Sequence, residues 1–427
     1  SIIYSSYNKI RDMNSALAAT IGLILSIILI IKKVSPVYSL ILGALTGGLL
    51  AGWGLENTVT EMISGIKDIT PAIIRILAAG VLTGMLVKTG AASSISQAII
   101  KKLGAKQIYL ALALSAMLLT AIGVFIDVAV ITIAPIALIA GSQLRLSRAK
   151  LLIAMIGGGK CGNIISPNPN SIIAAENFNA PLPSVMAANI IPAIIGLLFT
   201  IYIIVPLLPK GTILQPTEQI EDNMRLPSLR SSVIAPIVTI VLLTLRPLFG
   251  IIIDPLVALS AGGIIGIVAT RNWHKTNDCL SYGLGKMSTI AILLIGTGAL
   301  AGVIKASTIK DILINLLAGW SNGGTIMAPL SGTLMCAATA STTAGATIAS
   351  ASFAQSILGA GVAAVWGAAM INAGSTVLDH LPHGSFFHAT GGAVGMDVKE
   401  RLKLITYETA IGLVLAISSV ILYVCIS

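Results

Sequence analysis

Charge is what this sequence has least of. Of 427 residues, 26 are Lys or Arg and 16 are Asp or Glu, 10% together, against roughly a quarter in an ordinary soluble domain. So few charges cannot cover a water-facing surface of this size, which excludes a soluble enzyme and a disordered chain alike. Aromatic residues stand at 4%, and the alternating segments of roughly ten residues that build a transmembrane β-barrel are missing. The four cysteines, Cys161, Cys279, Cys336 and Cys425, form no CxxC pair and no metal-binding spacing. What fills the chain is apolar: 56% hydrophobic residues, a mean hydropathy of +0.96, and 42 glycines. Glycine at that density suits helices packed closely through small residues in a bilayer. The composition is that of an all-α polytopic membrane protein. Its net charge of +10 then reads as the basic bias of cytoplasmic loops rather than as affinity for nucleic acid.

Apolar runs long enough to cross hydrocarbon as helix lie at about 14–31, 36–53, 71–88, 151–173, 184–208, 231–250, 255–270, 287–304, 362–380 and 404–425. Two stretches, 107–140 and 325–361, are too long for one crossing. Each holds a small or polar break, GVFID at 123–127 and TASTTAG at 339–345, and is expected to be a helical hairpin with its tip inside the membrane. Irregular backbone is tolerated there only where protein or a water-filled cavity satisfies it. Runs 91–104 and 308–320 are amphipathic and are expected at the interface. With Lys32 and Lys33 placed in the cytoplasm, 18 of the 26 basic residues fall inside, five outside and three at membrane depth. The positive-inside rule then sets both termini outside, and the first span is expected to be retained rather than cleaved.

The chain divides into an N-terminal segment and first helix (1–35), a first repeat (36–208), a polar cytoplasmic linker (209–230) and a second repeat (231–427). An ordered series of matches relates the halves: Pro36, Gly43 and Gly47 to Pro255, Gly262 and Gly266; Gly80, Leu82 and Gly84 to Gly298, Leu300 and Gly302; Ser115 to Ser331; and Met155, Gly159 and Pro167 to Met370, Gly374 and Pro382. The threading runs Pro36 outward and Pro255 inward, so the repeats are expected to be inverted. Inverted repeats with discontinuous helices are the architecture of secondary transporters, with the substrate near the midplane.

The broken segments hold the candidate binding groups. GGGKCGNIISPNPNS (157–171) offers Lys160, Asn163, Ser166, Asn168, Asn170 and Ser171. A helix restarting near Ser171 would aim backbone N–H groups at a carboxylate. Its counterpart INAGSTVLDHLPHGS supplies Asn372, Ser375 and Thr376, and the tip TASTTAG supplies Ser341, Thr342 and Thr343. Asp127 sits between apolar neighbours, where an unpaired carboxylate costs several kcal/mol or stays protonated; with Asp379 and His380 it is a candidate for carrying a coupling proton. A buried ion pair of Asp127 with Lys160 or Arg75 is the plainer alternative. His380, His383 and His388 beside Asp379 match no metal-binding pattern, and neither a metal nor a cofactor is expected.

The stretches LALSAMLLTAIGVFIDVAVITIAPIALIAG, GGGKCGNIISPNPNSIIAAENF, ATASTTAGATIAS and STVLDHLPHGSFF resemble, in order and spacing, the motifs of the gluconate permease family within the ion transporter superfamily. The resemblance runs from about Pro36 to the last span. It implies a cytoplasmic-membrane symporter of sugar acids or related small carboxylates driven by protons, with paired re-entrant hairpins and inverted repeats, working as a homodimer by an elevator movement. Asp127 falls where many members carry Glu, and His380 matches a family His. SPNPNS and DHLPHGSF depart from the family's own loops, so the resemblance leaves the particular carboxylate open. The alternatives are a cation/proton antiporter of the same superfamily and, more remotely, an intramembrane hydrolase using Ser166 or Ser385 beside the histidines.

Overall fold

The computed structural model describes residues 2–209, 211–214, 226–308, 312, 315, 322–382 and 384–427, with side chains described from residue 14 onward except at 246 and 247. Most of the cytoplasmic linker, most of the interfacial run 308–320 and His383 therefore lie outside the described residues. Among the described residues the regular elements are all helices, with one isolated bridge, Ser147 to Ile213. Among the described residues, six helices are long and apolar enough to cross a membrane, or up to seven if one bent pair counts as a span.

The first half runs α1 (Ile2–Ile31), α2 (Pro36–Leu50), α3 (Gly54–Lys88), α4 (Ala91–Leu103), α5 (Ile108–Ala121), α6 (Ile126–Gln143), α7 (Arg148–Asn163), α8 (Pro169–Asn177), α9 (Leu182–Ala188) and α10 (Ile190–Phe199), the last continuing through a π turn to Leu207. The second half runs α11 (Ile234–Phe249), α12 (Pro255–Ala269), α13 (Thr276–Ala306), α14 (Gly323–Thr339), α15 (Thr342–Gly359), α16 (Ala364–Gly374), α17 (Ser385–Ala393), α18 (Val398–Leu402) and α19 (Ile405–Ile426). The order recurs: a short Pro-initiated helix, a very long one, a hairpin, a helix broken near its middle.

Both expected hairpins are present, α5–α6 and α14–α15. The first turns over Gly123 at φ +106, a conformation open to glycine, and Thr83 of α3 donates to the Gly123 carbonyl at 2.9 Å. The second turns over Ala340 in the left-handed region, φ 47 and ψ 43, before Ser341 caps α15 by accepting the Ala344 N–H at 3.3 Å. A left-handed alanine costs about 1 kcal/mol, so this tip is held by its surroundings. The runs at 151–173 and 362–380 are not continuous spans. The first stops at Asn163 and restarts at Pro169, where Asn168 caps the new helix by accepting the Ser171 N–H at 3.0 Å. Proline at the first helical position and asparagine before it are the ordinary signature of a helix start. The second stops at Gly374 and restarts at Ser385.

Two spans are longer than hydropathy indicates. The runs at 71–88 and 287–304 are the later parts of α3, 35 residues, and α13, 31 residues. The earlier turn of α3 carries Glu56, Glu61, Lys67 and Asp68, which depress hydropathy without breaking a helix. These two helices pack antiparallel along their length through glycine. A Cβ at Gly80 would lie 2.8 Å from the Gly283 carbonyl oxygen, and one at Gly298 3.0 Å from that of Gly65. Closeness of this kind replaces the hydrophobic effect as the source of cohesion between helices in lipid.

Candidate substrate site

The two helix breaks and the two hairpin tips converge. A cavity of about 250 Å³ lies between them, lined by Phe125, Ile126 and Asp127 of the first tip, Ala340, Ser341, Thr342 and Thr343 of the second, Asn163 at the first break and Asp379 at the second. Lys286, Thr289 and Ile290 of α13 and Ser385 and Phe386 of α17 complete the wall. A larger cavity of about 540 Å³, lined among others by Asp68, Lys305, Glu176 and Ser350, opens between the α3–α13 pair and helices α8 and α15. Neither hairpin tip reaches it.

Six of the sequence-predicted residues thus face the smaller cavity: Asp127, Asn163, Ser341, Thr342, Thr343 and Asp379. The others are buried behind it, and several of them hold the broken helices together. Asn170 accepts from Thr343 Oγ1 at 3.0 Å and donates to Asn372 Oδ1 at 3.1 Å; Asn372 donates to Ser171 Oγ at 2.9 Å; Asn168 donates to the Asn163 Oδ1 at 2.7 Å. The first three are contacts between the two halves, the Thr343 bond also joining a break to a hairpin tip, and the last lies within the first break. Ser375 and Thr376 hydroxyls donate to the carbonyls of Ile371 and Ala373 at 2.9 and 2.7 Å. Ser166 is fully buried and its hydroxyl has no partner in the described structure.

Lys160 does not project into the cavity. Its ammonium, fully buried, donates to the Thr376 carbonyl and the Asp379 carboxylate and lies 3.1 Å from His380 Nδ1. The expected alternative pairing of Lys160 with Asp127 is therefore not what forms. Asp379 also accepts from Thr342 Oγ1 at 2.7 Å, which ties the second tip to the second break. Asp127 stands in the first turn of α6, half-buried on the cavity wall, accepting the Val128 N–H at 2.9 Å. Arg75 pairs elsewhere, with Glu176 of α8 and with Asp254, the cap of α12, at 2.8 Å.

Three groups join the site that sequence reasoning passed over. Lys286 is the one cation on the described cavity wall. Glu408 and Arg401 form a fully buried pair beside His380, with Arg401 Nη2 also donating to Thr390 Oγ1 at 3.2 Å and its guanidinium 4.9 Å from the Phe387 ring. Glu408 Oε2 comes to 4.0 Å from His380 Nδ1. The signal for this pair was present as an acid in the first turn of an apolar helix, a position that also fits an ordinary span end.

A polytopic helical fold with hairpins meeting over a polar cavity is that of a membrane transporter. By structure the chain is similar to the YdaH transporter of Alcanivorax borkumensis, whose description notes an unusual topology, with a TM-score of 0.59, 16% identity and coverage of 87% of this chain and 89% of that one. Residues 15–426 match the model of the GntP family permease, and the chain belongs to that family. It is 53% identical to an uncharacterized transporter of Haemophilus influenzae, over 96% of this chain and 98% of the relative. The high-affinity gluconate transporter of Escherichia coli is 25% identical over 52% of this chain and 51% of its own. The L-idonate transporter of the Gnt-II system of Escherichia coli is likewise 25% identical, over 75% and 76%. The chain is a permease and not an enzyme.

Proposed function

We propose that this permease is a proton-coupled symporter of a small organic anion, gluconate or a related sugar acid or carboxylate, working by an elevator movement. The observation that carries the reading is the convergence of both hairpin tips and both helix breaks on one small cavity. Its wall is lined by the polar residues Ser341, Thr342, Thr343, Thr289, Ser385 and Asn163, suited to substrate hydroxyls, with Lys286 for a carboxylate. The restart of α8 behind it, with the hydrogen-bonded set Asn168, Asn170, Ser171 and Asn372, keeps the breaks in register. The coupling proton resides among the expected groups Asp127, Asp379 and His380.

We read the two halves as inverted repeats. Gly80 packs on Gly283 and Gly298 on Gly65, and each glycine of the first contact is separated from one of the second by the same 218 residues. Exchange of the halves therefore maps the contact pattern onto itself, as a two-fold axis across an antiparallel pair requires. In this reading α3 and α13 belong to a fixed scaffold, the hairpins and broken helices move, and the larger cavity is space on the other side of the moving part. The expected location is the cytoplasmic membrane with both termini outside, as a homodimer.

A thermal-shift screen of the purified protein against gluconate, idonate, short hydroxy acids, dicarboxylates and simple cations tests the substrate class. A ligand at about 100 times its Kd adds about 2.7 kcal/mol to stability. The expected result is a shift with one class of carboxylate. A response to cations alone contradicts the symporter and favours an antiporter.

A further inference from the structure

The larger cavity, about 540 Å³ between the α3–α13 pair and helices α8 and α15, takes no part in the site described above. We infer that it is a second binding site, for a small polyhydroxylated amine, and that a guest there arrests the transporter in its present conformation. The binding claim stands on the cavity alone. The arrest rests on the elevator reading above, in which this space closes as the hairpins and broken helices move.

Polar groups in the cavity are left without partners. Ser352 and Ser356 of α15 line it, are 6% and 1% exposed, and neither hydroxyl has a hydrogen-bond partner among the described residues. A serine inside a helix commonly donates to the carbonyl four residues back, as Ser350 of the same helix does to Ala346 at 2.7 Å. Ser352 and Ser356 do not, and an unpaired buried hydroxyl is costly, so both are groups for a guest to satisfy. Asn177, also in the lining, donates to Ser350 Oγ at 2.9 Å, which leaves its amide oxygen to accept. The volume is that of an ordinary small-molecule pocket.

The charge around the cavity selects a cation. Asp68 and Lys305 pair at 2.8 Å and cancel. Glu176 shares the single guanidinium of Arg75 with Asp254, so two carboxylates meet one cation and the balance is negative. Three helices also end at the cavity: α8 at Asn177, α13 at Ala306 and α15 at Gly359, each placing a residue of its last turn, Glu176, Lys305 and Ser356, in the lining. Helix C-termini carry partial negative charge, and all three add to the excess. An ammonium is stabilised there and a carboxylate is repelled, whereas the serine hydroxyls and the Asn177 amide suit hydroxyls on the rest of the guest. Such a guest touches α8 and α15 on one side and Asp68 of α3 on the other. It binds the conformation in which the cavity is open and draws the population towards it.

Three compounds with one carbon skeleton test the class: D-glucamine ends in an ammonium, sorbitol in a hydroxyl and gluconate in a carboxylate. Isothermal titration calorimetry of the purified full chain near neutral pH is expected to show binding of D-glucamine, with sorbitol and ethylamine each at least about tenfold weaker. No binding of D-glucamine, or equal binding of sorbitol, overturns the inference. Two variants locate the guest. Glu176→Gln is expected to weaken D-glucamine about tenfold, and Gln355→Trp, which sets a large ring in the lining, to abolish its binding. Unchanged affinity in either places the guest elsewhere and overturns the inference; Gln355 is exposed, so its replacement does not disturb the core. In proteoliposomes D-glucamine on both faces is expected to lower the Vmax of gluconate uptake without raising its KM. A raised KM at unchanged Vmax puts the guest in the substrate site and overturns the inference, and binding without inhibition overturns the arrest. If gluconate is not transported at all, the proposed function fails while the calorimetry still decides the site.

Discussion

In the proposed reading Lys286 is the cation available to an incoming carboxylate, because Lys160 is already engaged by Asp379, His380 and the Thr376 carbonyl. Hydrogen bonds to charged groups contribute about 1.5–3 kcal/mol, so Lys286→Gln is expected to raise the KM for gluconate uptake about tenfold or more, with Lys286→Arg recovering part of it. An unchanged KM in proteoliposome uptake removes Lys286 from the site. Lys286 was hidden because hydropathy starts that span at 287, whereas the helix starts eleven residues earlier at Thr276. The polar residues between 160 and 171 were recognisable as an unusual group, and Asn163 does reach the cavity. Spacing along one chain cannot show, however, that Asn170 and Ser171 meet Asn372 from the other half. Those bonds form only when the two breaks cross, so residues that looked like substrate ligands turn out to be largely satisfied by one another.

At the scale of the helix, the α3–α13 pair depends on having no side chain where the backbones meet. Gly80→Leu inserts a branched side chain against the Gly283 carbonyl, which a Cβ alone would already approach to 2.8 Å. Overpacking costs about 1–3 kcal/mol and more where backbone must move, so a clearly lowered melting temperature is expected by thermal unfolding in detergent. A melting temperature equal to wild type contradicts the close pairing. Away from the site cavity, Arg75 ties α3 and the cap of α12 to Glu176 on α8. If α8 moves past α3, that tie opens in every cycle. Glu176→Gln is then expected to raise the rate of gluconate exchange by a few-fold, since a partly exposed pair contributes about 1 kcal/mol or less; an unchanged rate argues against relative motion there. The hairpins and helix breaks were legible because Gly, Pro, Ser and Thr interrupt otherwise apolar runs. The true lengths of α3 and α13 were not, since charged turns lower hydropathy while leaving helix propensity intact.

For the whole molecule, several of the basic residues expected in the cytoplasm make local contacts. Lys88 and Lys286 flank the Tyr282 ring at 5.0 and 5.8 Å, Arg148 donates to the Gly395 carbonyl at 2.6 Å, and Lys150 donates to the Pro206 carbonyl at 3.4 Å. Cys425 is exposed near the far end of α19, while Cys161, Cys279 and Cys336 are buried. A membrane-impermeant maleimide added to intact cells is therefore expected to label Cys425 alone. Labelling only after the membrane is opened reverses the assigned topology. In the proposed function a proton gradient drives a small carboxylate through this fold. The most direct test is uptake of radiolabelled gluconate into proteoliposomes with the outside more acidic than the lumen. Accumulation above the external concentration, abolished by a protonophore, is the expected result. Equilibration without accumulation, or accumulation that follows a cation gradient instead, contradicts it.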